Sequence, residues 1–396
     1  MKCKVTNKVI DPFMSFGKMP IANGFIKKED FGKEFFFNME VGFSEEVSLF
    51  QLNDHPKPEL MFNERYPFFT SSSKFMTAHF KNFADYLTKN FINSNSKVIE
   101  IGSNDGTLLK NFKDLGIEYV GFEPSKNVSD RANSNGIKTI NKFFSSKNLS
   151  DAKEFVTKTD LICASNVICH IPDLNDLIIS IDKMLTKNGS FIFEEPYLGS
   201  MFEKVSYDQI YDEHIYIFSA SSISKIFQLY DFELVDILPQ PTHGGSMRYI
   251  IQRKNRNKKS KNLIKILENE KLRKLDVLES CIQFKKTCET SKMQLIKKIN
   301  KLKEQNKSIC GYAATSKSTT ILNYCKIDNK TIKFICDTTP EKIGKFSPGM
   351  HIPIVDMKYF KDNITDAIYL FAWNHKEEIF KKENTLKVDW FSHVEL

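Results

Sequence analysis

The sequence predicts an α/β protein with two parallel, doubly wound sheets and a small β-rich module in front of them. Three observations carry this. Short apolar runs alternate with helix-period segments from residue 98 to 194, the alternation restarts after residue 308, and the first 60 or so residues alternate apolar and polar in short runs.

In chain order, Phe35-Phe-Phe-Asn-Met-Glu-Val-Gly and Val47-Ser-Leu-Phe-Gln-Leu read as strands of a module whose own core is thin. Met76, Phe80, Phe83 and Leu87 fall on one helical face, and an Asn/Ser break at 93–96 follows. Residues 98–101, 119–123, 161–165 and 191–194 then read as strands, with helices over 108–115, 126–133 and 176–185. Between 253 and 307, Leu275, Leu278, Ile282, Leu295, Ile296, Ile299 and Leu302 recur at helical spacing among lysines, which predicts two amphipathic helices with a solvated basic face. Runs at 308–312, 331–337 and 367–373 supply a second, smaller Rossmann-like sheet. The organisation expected is a module over 1–65, a central domain over 66–252, a helical connector over 253–306 and a C-terminal domain over 307–396.

Of the 396 residues, 41% are hydrophobic and 27% charged, which is ordinary for a globular protein, and no apolar run approaches the ~20 residues a bilayer requires. No export signal is evident at the N-terminus, so a cytoplasmic protein with no membrane partner is expected. The net charge of +8 sits largely in the lysine-rich stretch, which argues against a nucleic-acid partner. The 8 cysteines form no C-x-x-C pair and read as reduced and mostly buried.

The most informative segment is Val98-Ile-Glu100-Ile-Gly102-Ser-Asn104-Asp105-Gly106, a buried strand entering a glycine turn and then a helix. The glycines permit close backbone approach to a ligand, and the helix start presents free amides. Glu123 ends the next strand, where a carboxylate can accept from both ribose hydroxyls. A dinucleotide site would carry G-x-G-x-x-G, whereas the acidic E-x-G-x-x-x-G form suits S-adenosylmethionine (SAM), which has no phosphate and bears a cationic sulfonium and ammonium. The position after the third strand, often acidic in SAM enzymes, holds Asn141-Lys142 and leaves the adenine contact unassigned.

Loops after the strand ends should face the cofactor. One is Asn166-Val-Ile-Cys169-His170-Ile-Pro172, where the histidine can be structural or catalytic. The next runs from Glu194-Glu195-Pro196-Tyr197 into Tyr207-Asp-Gln-Ile-Tyr211-Asp212-Glu213-His214. Tyr211 and His214 would share a helical face, and Glu213 could hold the imidazole tautomer or act as a second acid or base, against the alternative of a polar surface turn. Gly311-Tyr-Ala-Ala-Thr315-Ser316-Lys317-Ser318 falls short of a P-loop but can cradle a phosphate or diphosphate without cleaving it.

Together these residues resemble the sugar-nucleotide C-methyltransferases, SAM enzymes acting on nucleoside-diphosphate-linked 4-keto-deoxysugars. The resemblance spans nearly the whole chain: Glu64-Arg-Tyr66-Pro-Phe with Ser71 to Ser73 and His79, the glycine loop, Gly121-Phe-Glu-Pro, Cys169-His-Ile-Pro and Glu195-Pro-Tyr-Leu-Gly. It continues through Tyr207 to His214, His243-Gly-Gly, Gly311 to Lys317 and Phe371-Ala-Trp-Asn374-His. It implies a class I SAM-methyltransferase Rossmann-like domain between a zinc-type N-terminal module and a C-terminal Rossmann-like domain, with the sugar nucleotide held between the last two. It also implies that SAM meets Glu100, Gly102, Asn104, Asp105, Gly106, Glu123 and Asn166, and that the sugar nucleotide meets Tyr197, His243, Ser316, Lys317 and Asn374.

By the same resemblance Tyr66, His170, Tyr211, Glu213 and His214 line the reacting carbon, with His214 as the base assisted by Glu213. The product would be methylated beside the ketone, C3 preferred, through an enolate held by Tyr and His donors. The family's module binds zinc through two pairs of cysteines, but here Cys3 stands with Thr6, Ser44 and Val47, so no metal is expected. The alternatives are O- or N-methylation of a sugar nucleotide and a SAM- or sugar-nucleotide-binding protein without catalysis. Sugar stereochemistry, nucleotide base and oligomeric state have no legible signature.

Overall fold

The computed structural model describes residues 1–64 and 66–396. Three strands open the chain, β1 (Pro12–Pro20), β2 (Phe36–Ser44) and β3 (Leu49–Leu52), paired antiparallel. A short helix α1 (Pro58–Met61) leads to α2 (Lys74–Asn90), where Ser73 caps the start by accepting from Met76 N at 3.2 Å. The buried face of α2 carries Met76, His79, Phe80, Phe83, Ala84 and Leu87, the stripe expected from the spacing with the histidine added.

The central domain follows as β4 (Lys97–Ile101), α3 (Leu109–Asp114), β5 (Glu118–Phe122), α4 (Lys126–Ser134), β6 (Thr139–Ile140), β7 (Thr159–Ser165), α5 (Leu174–Met184) and β8 (Leu185–Pro196). It continues through α6 (Leu198–Lys204), β9 (Tyr216–Ile217), α7 (Ala220–Gln228), β10 (Phe232–Gln240) and β11 (Ser246–Arg253). Seven of these strands form one sheet in the order β10-β11-β8-β7-β4-β5-β6, which is the class I methyltransferase arrangement. The sheet is not wholly parallel: β11 pairs antiparallel with both β8 and β10, because a hairpin returns it beside β8 instead of a helical crossover. The ninth strand leaves this domain to pair with β3, so the N-terminal sheet runs β1-β2-β3-β9.

Two helices follow, α8 (Lys261–Leu272) and α9 (Leu278–Glu304). Five parallel strands then form the last sheet, ordered β14-β13-β12-β15-β16: β12 (Ile309–Tyr312), β13 (Ile335–Cys336), β14 (Ile354–Val355), β15 (Ala367–Leu370) and β16 (Asp389–Phe391). Their helices are α10 (Ser316–Tyr324), α11 (Met357–Asp362) and α12 (Lys376–Lys382).

The seam of α9 differs from the expected one. Cys281, Phe284, Cys288, Ser291, Leu295, Ile299 and Leu302 are buried, whereas Ile282 is 43% exposed. This seam packs in one cluster with Met14, Phe16, Met39 and Phe43 of the N-terminal sheet, with Ile335 and Tyr369 of the last sheet and with Ile321 of α10. Phe202 stacks on Phe284 at 4.2 Å, and Phe16 lies 4.8 Å from Tyr324. At roughly 1.5–3 kcal/mol per buried side chain of this size, docking supplies the module with a core it does not have alone. All 8 cysteines are buried and free, and among the described residues no helix is long and apolar enough to cross a membrane.

Candidate active site

The turn between β4 and α3 is shaped by close packing. Gly102 has φ +65°, and a Cβ there would lie 2.3 Å from the Val167 side chain, so only glycine fits. Glu123, at the end of β5, accepts from Asn104 N at 3.0 Å and from Ser125 N at 2.8 Å, which leaves further lone pairs for a ribose. Burial raises its carboxyl from the ordinary value, as it does for Glu100 more strongly. Glu100 Oε2 and Asn166 Oδ1 are buried acceptors with no partner, and Gly106 with φ +79° closes the turn. Orphaned acceptors along a glycine turn fit a cationic ligand such as SAM.

Asn104 and Asp105 are placed differently from the sequence expectation, since their side chains hold another part of the chain. Asn104 accepts from Thr70 N at 2.9 Å and donates to Phe68 O at 3.2 Å, while Asp105 accepts from Ser71 N at 3.0 Å. Asn127 donates to Tyr66 O at 2.9 Å. The segment after Tyr66 is thereby stitched over the glycine turn; Arg65, inside the same motif, lies outside the described residues.

Those stitches bring Tyr66 to the second cluster, where its hydroxyl donates to Glu213 at 3.4 Å. Asn23 donates to the other Glu213 oxygen at 2.6 Å, and Ala22 N donates to Asp212 at 3.0 Å. Burial raises both carboxyls, Glu213 to about 7.

His214 is fixed from both sides. Its Nδ1 lies 2.7 Å from the Gln209 carbonyl, which can only accept, so Nδ1 carries the proton. Nε2 is then the lone pair, 2.7 Å from the Tyr211 hydroxyl. Burial, and next the neighbouring His170, press the imidazole well below its ordinary pKa, which keeps it neutral and able to accept a proton. Of the two roles open to Glu213, holding the tautomer is excluded: a backbone carbonyl does so, and Glu213 faces Tyr66 and Asn23.

His170 stacks between Phe62 at 5.5 Å and His214 at 5.4 Å, and burial lowers its pKa to about 3. Its loop is pinned by Glu195, one oxygen of which accepts from the backbone amides of Val167, Ile168 and Cys169 at 2.9, 2.6 and 3.3 Å. An open groove of about 750 Å³ reaches Tyr66, with Lys27, Lys28 and Asn127 on its walls.

The remaining predicted residues divide. Lys317, on α10 beside Ser316, donates to Asn374 at 2.9 Å, and Gly244, next to His243, packs so tightly on Trp373 that a Cβ would sit 2.2 Å from the ring. His243 Nε2 is buried without a partner. Tyr197 is not brought to this set: its hydroxyl donates to Glu270 at 2.9 Å, and Glu270 also accepts from Ala220 N and Ser221 N, so the side chain serves the packing of α8.

Asn23, Gln209, Phe62 and the two α10 hydroxyls that anchor the site escaped sequence reasoning. Thr319 donates to Ala22 O and Thr320 to Ile210 O, tying the last domain to the N-terminal module and to the His214 loop. The one available signal was the threonine pair following Lys317; nothing marked Asn23.

Residues 3–62 match a zinc binding domain, 75–237 a methyltransferase domain, and 241–390 the C-methyltransferase C-terminal domain. The chain is 26% identical to the C-methyltransferase NovU of Streptomyces niveus over 93% of its own length and 89% of that protein's. Among solved structures it resembles the PH0226 protein of Pyrococcus horikoshii, with 14% identity, TM-score 0.39, and coverage of 47% of this chain and 94% of that one. It also resembles the magnesium protoporphyrin IX methyltransferase of Synechocystis, solved with bound SAH, with 14% identity, TM-score 0.35, and coverage of 45% and 83%.

The residues present do not fit zinc in the first domain. Cys3 Sγ accepts from Thr6 N at 3.5 Å, and Val47, buried in the same cluster as Cys3, offers no donor atom where tetrahedral zinc needs four ligands. With a glycine turn and orphaned acceptors suited to SAM, and with three family models matched in series along it, the chain is a SAM-dependent C-methyltransferase whose first domain keeps one of the four expected zinc cysteines.

Proposed function

We propose that the protein methylates a nucleoside-diphosphate-linked 4-keto-6-deoxy sugar at the carbon beside the ketone, C3 preferred, through an enolate. The observation that carries this reading is His214, a neutral imidazole with its proton held at Nδ1 and its Nε2 lone pair accepting from the Tyr211 hydroxyl, with a second hydroxyl, that of Tyr66, on the adjacent Glu213. SAM, when bound, supplies an electrophilic methyl on a sulfonium.

The chain's own residues perform the rest. A proton α to a ketone is too weakly acidic to leave unaided, so Nε2 of His214 takes it while the ketone oxygen becomes an enolate. Each tyrosine has one O–H, which Tyr211 gives to His214 Nε2 and Tyr66 to Glu213; with substrate in place the Tyr211 hydroxyl would turn from Nε2 to the developing charge, which frees the lone pair for the proton, while Tyr66 is oriented by Glu213, and Glu213 by Asn23. His170, unprotonated at neutral pH and stacked on His214, adds a wall and an unused Nε2. Glu100, Gly102, Gly106, Glu123 and Asn166 would hold SAM. The start of α10 with Ser316 and Lys317 would take the diphosphate, and His243 and Asn374 would border the sugar. The product would be a branched sugar for a glycan or glycosylated metabolite.

The test is incubation of the purified protein with SAM and a panel of 4-keto-6-deoxyhexose nucleotides. The expected result is one added methyl by mass spectrometry, placed on a ring carbon by NMR. A methyl found on oxygen or nitrogen contradicts the proposal.

A further inference from the structure

We propose that the catalytic face is also a binding site for a borderline-soft divalent metal such as Zn²⁺, held by Cys169, His170 and His214, and that the bound metal shuts the enzyme off. The inhibitory half rests on the reading of His214 as the base; the binding half does not.

One ligand atom from each of Cys169, His170 and His214 lies within 4.8 Å of the other two, and among the described residues no other group of three or more such side chains is so placed. Tetrahedral zinc with one sulfur and two nitrogen ligands has ligand-to-ligand edges of about 3.3–3.7 Å, so closure needs side-chain shifts of about 1 Å. Cys169 is 1% and His214 5% exposed, and His170 Nε2 is buried with nothing to bond to. That orphaned nitrogen is the second observation: a buried polar atom on one of the three residues, unserved by the protein. The ligand set, one thiol and two imidazoles, suits Zn²⁺ over Mg²⁺ or Ca²⁺, and binding must displace the Tyr211 hydroxyl from His214 Nε2 and the Cys169 thiol from Glu195.

The surroundings favour a fixed site. Glu195 pins the Cys169–His170 turn through three backbone amides, and the Gln209 carbonyl holds the His214 ring with Nε2 inward. On binding, the Cys169 thiol gives its proton to solvent, sulfur and the two nitrogens each donate a pair to the metal, and no electron transfer occurs. An imidazole whose lone pair is on a metal cannot take a proton from carbon, so occupancy and turnover exclude one another. The site is separate from the N-terminal module, where only Cys3 remains of the expected ligands.

The test is anaerobic titration of the chelator-treated full chain with Co²⁺, read by the thiolate-to-cobalt charge-transfer absorption. We expect one equivalent per chain, a band absent in Cys169→Ala and retained in Cys3→Ala, and affinity weakened more than about tenfold in His170→Ala. Cys169→Ser replaces the alanine variant should the latter not fold. The Zn²⁺ concentration that halves turnover, referred to each protein's own metal-free rate, should rise at least about tenfold when Cys169 is replaced. No band, a band that survives loss of Cys169, or a rate raised by metal overturns the proposal. A protein that binds cobalt in this way yet turns over no substrate keeps the site and removes the methyl-transfer reading instead.

Discussion

Asn23→Ala tests whether the N-terminal module takes part in the chemistry. Asn23 reaches 190 residues along the chain to donate to Glu213 at 2.6 Å, and Glu213 is 3% exposed. A hydrogen bond to a buried charged group contributes about 1.5–3 kcal/mol, and one pKa unit corresponds to about 1.36 kcal/mol. Removing a donor disfavours the ionised form, so the Glu213 pKa rises by about 1–2 units from its value of about 7. If Tyr66 is oriented by the carboxylate, the acid limb of kcat/KM moves up by the same amount. At pH 7 the ionised fraction falls from about one half to about 1–10%, a loss of roughly 5- to 50-fold that is recovered at higher pH. The assay is the pH profile of methyl transfer for both proteins, with thermal melting to confirm folding. A folded variant whose rate drops equally at every pH, or not at all, refutes the reasoning.

Further outcomes follow from the same geometry. His214→Asn should lower kcat by about 10²–10⁴-fold while SAM affinity by calorimetry stays within a factor of two or so, because the side chain serves the proton and not the cofactor. Glu195→Ala strands three amides, the two buried ones at about 1–3 kcal/mol each, and should lower the midpoint of denaturant unfolding markedly, whereas Glu195→Gln keeps an acceptor and should lose less than half as much. Equal losses in the two variants would contradict the pinning role. Removing metal with EDTA should move the thermal midpoint of the natural chain and of Cys3→Ala by the same amount, since the four family zinc positions here hold one cysteine, two hydroxyl residues and a valine. A fall on chelation that Zn²⁺ reverses and that Cys3→Ala abolishes would show otherwise.

Local signals were legible in the sequence and distant ones were not. The strand, glycine turn and helix around Gly102 were readable because all the relevant residues lie within a dozen positions, and Glu123 follows from the length of one crossover. The reversed strand β11 was not, because its buried pattern Ser246–Arg253 is the same for either direction of pairing. In α9 the periodicity was correctly seen, but counting Ile282 and passing over Cys281 and Cys288 rotated the buried face by about one residue. The histidine and tyrosines of the site were recognised together, yet the group that fixes the His214 tautomer is a backbone carbonyl, which carries no side-chain signature. Asn23 and Tyr197 fail for the same reason: a contact 190 residues away and the partner that claims a hydroxyl are decided by packing of whole domains.

The central claim is proton removal from carbon by His214, and the most direct measurement is hydrogen exchange without methyl transfer. A 4-keto-6-deoxyhexose nucleotide is incubated with the protein in deuterated water, with S-adenosylhomocysteine in place of SAM, and followed by NMR. The account predicts deuterium entering the carbon beside the ketone faster than in buffer alone, and not in His214→Asn. Methyl transfer to carbon with SAM, accompanied by exchange that is unchanged in His214→Asn, would contradict it.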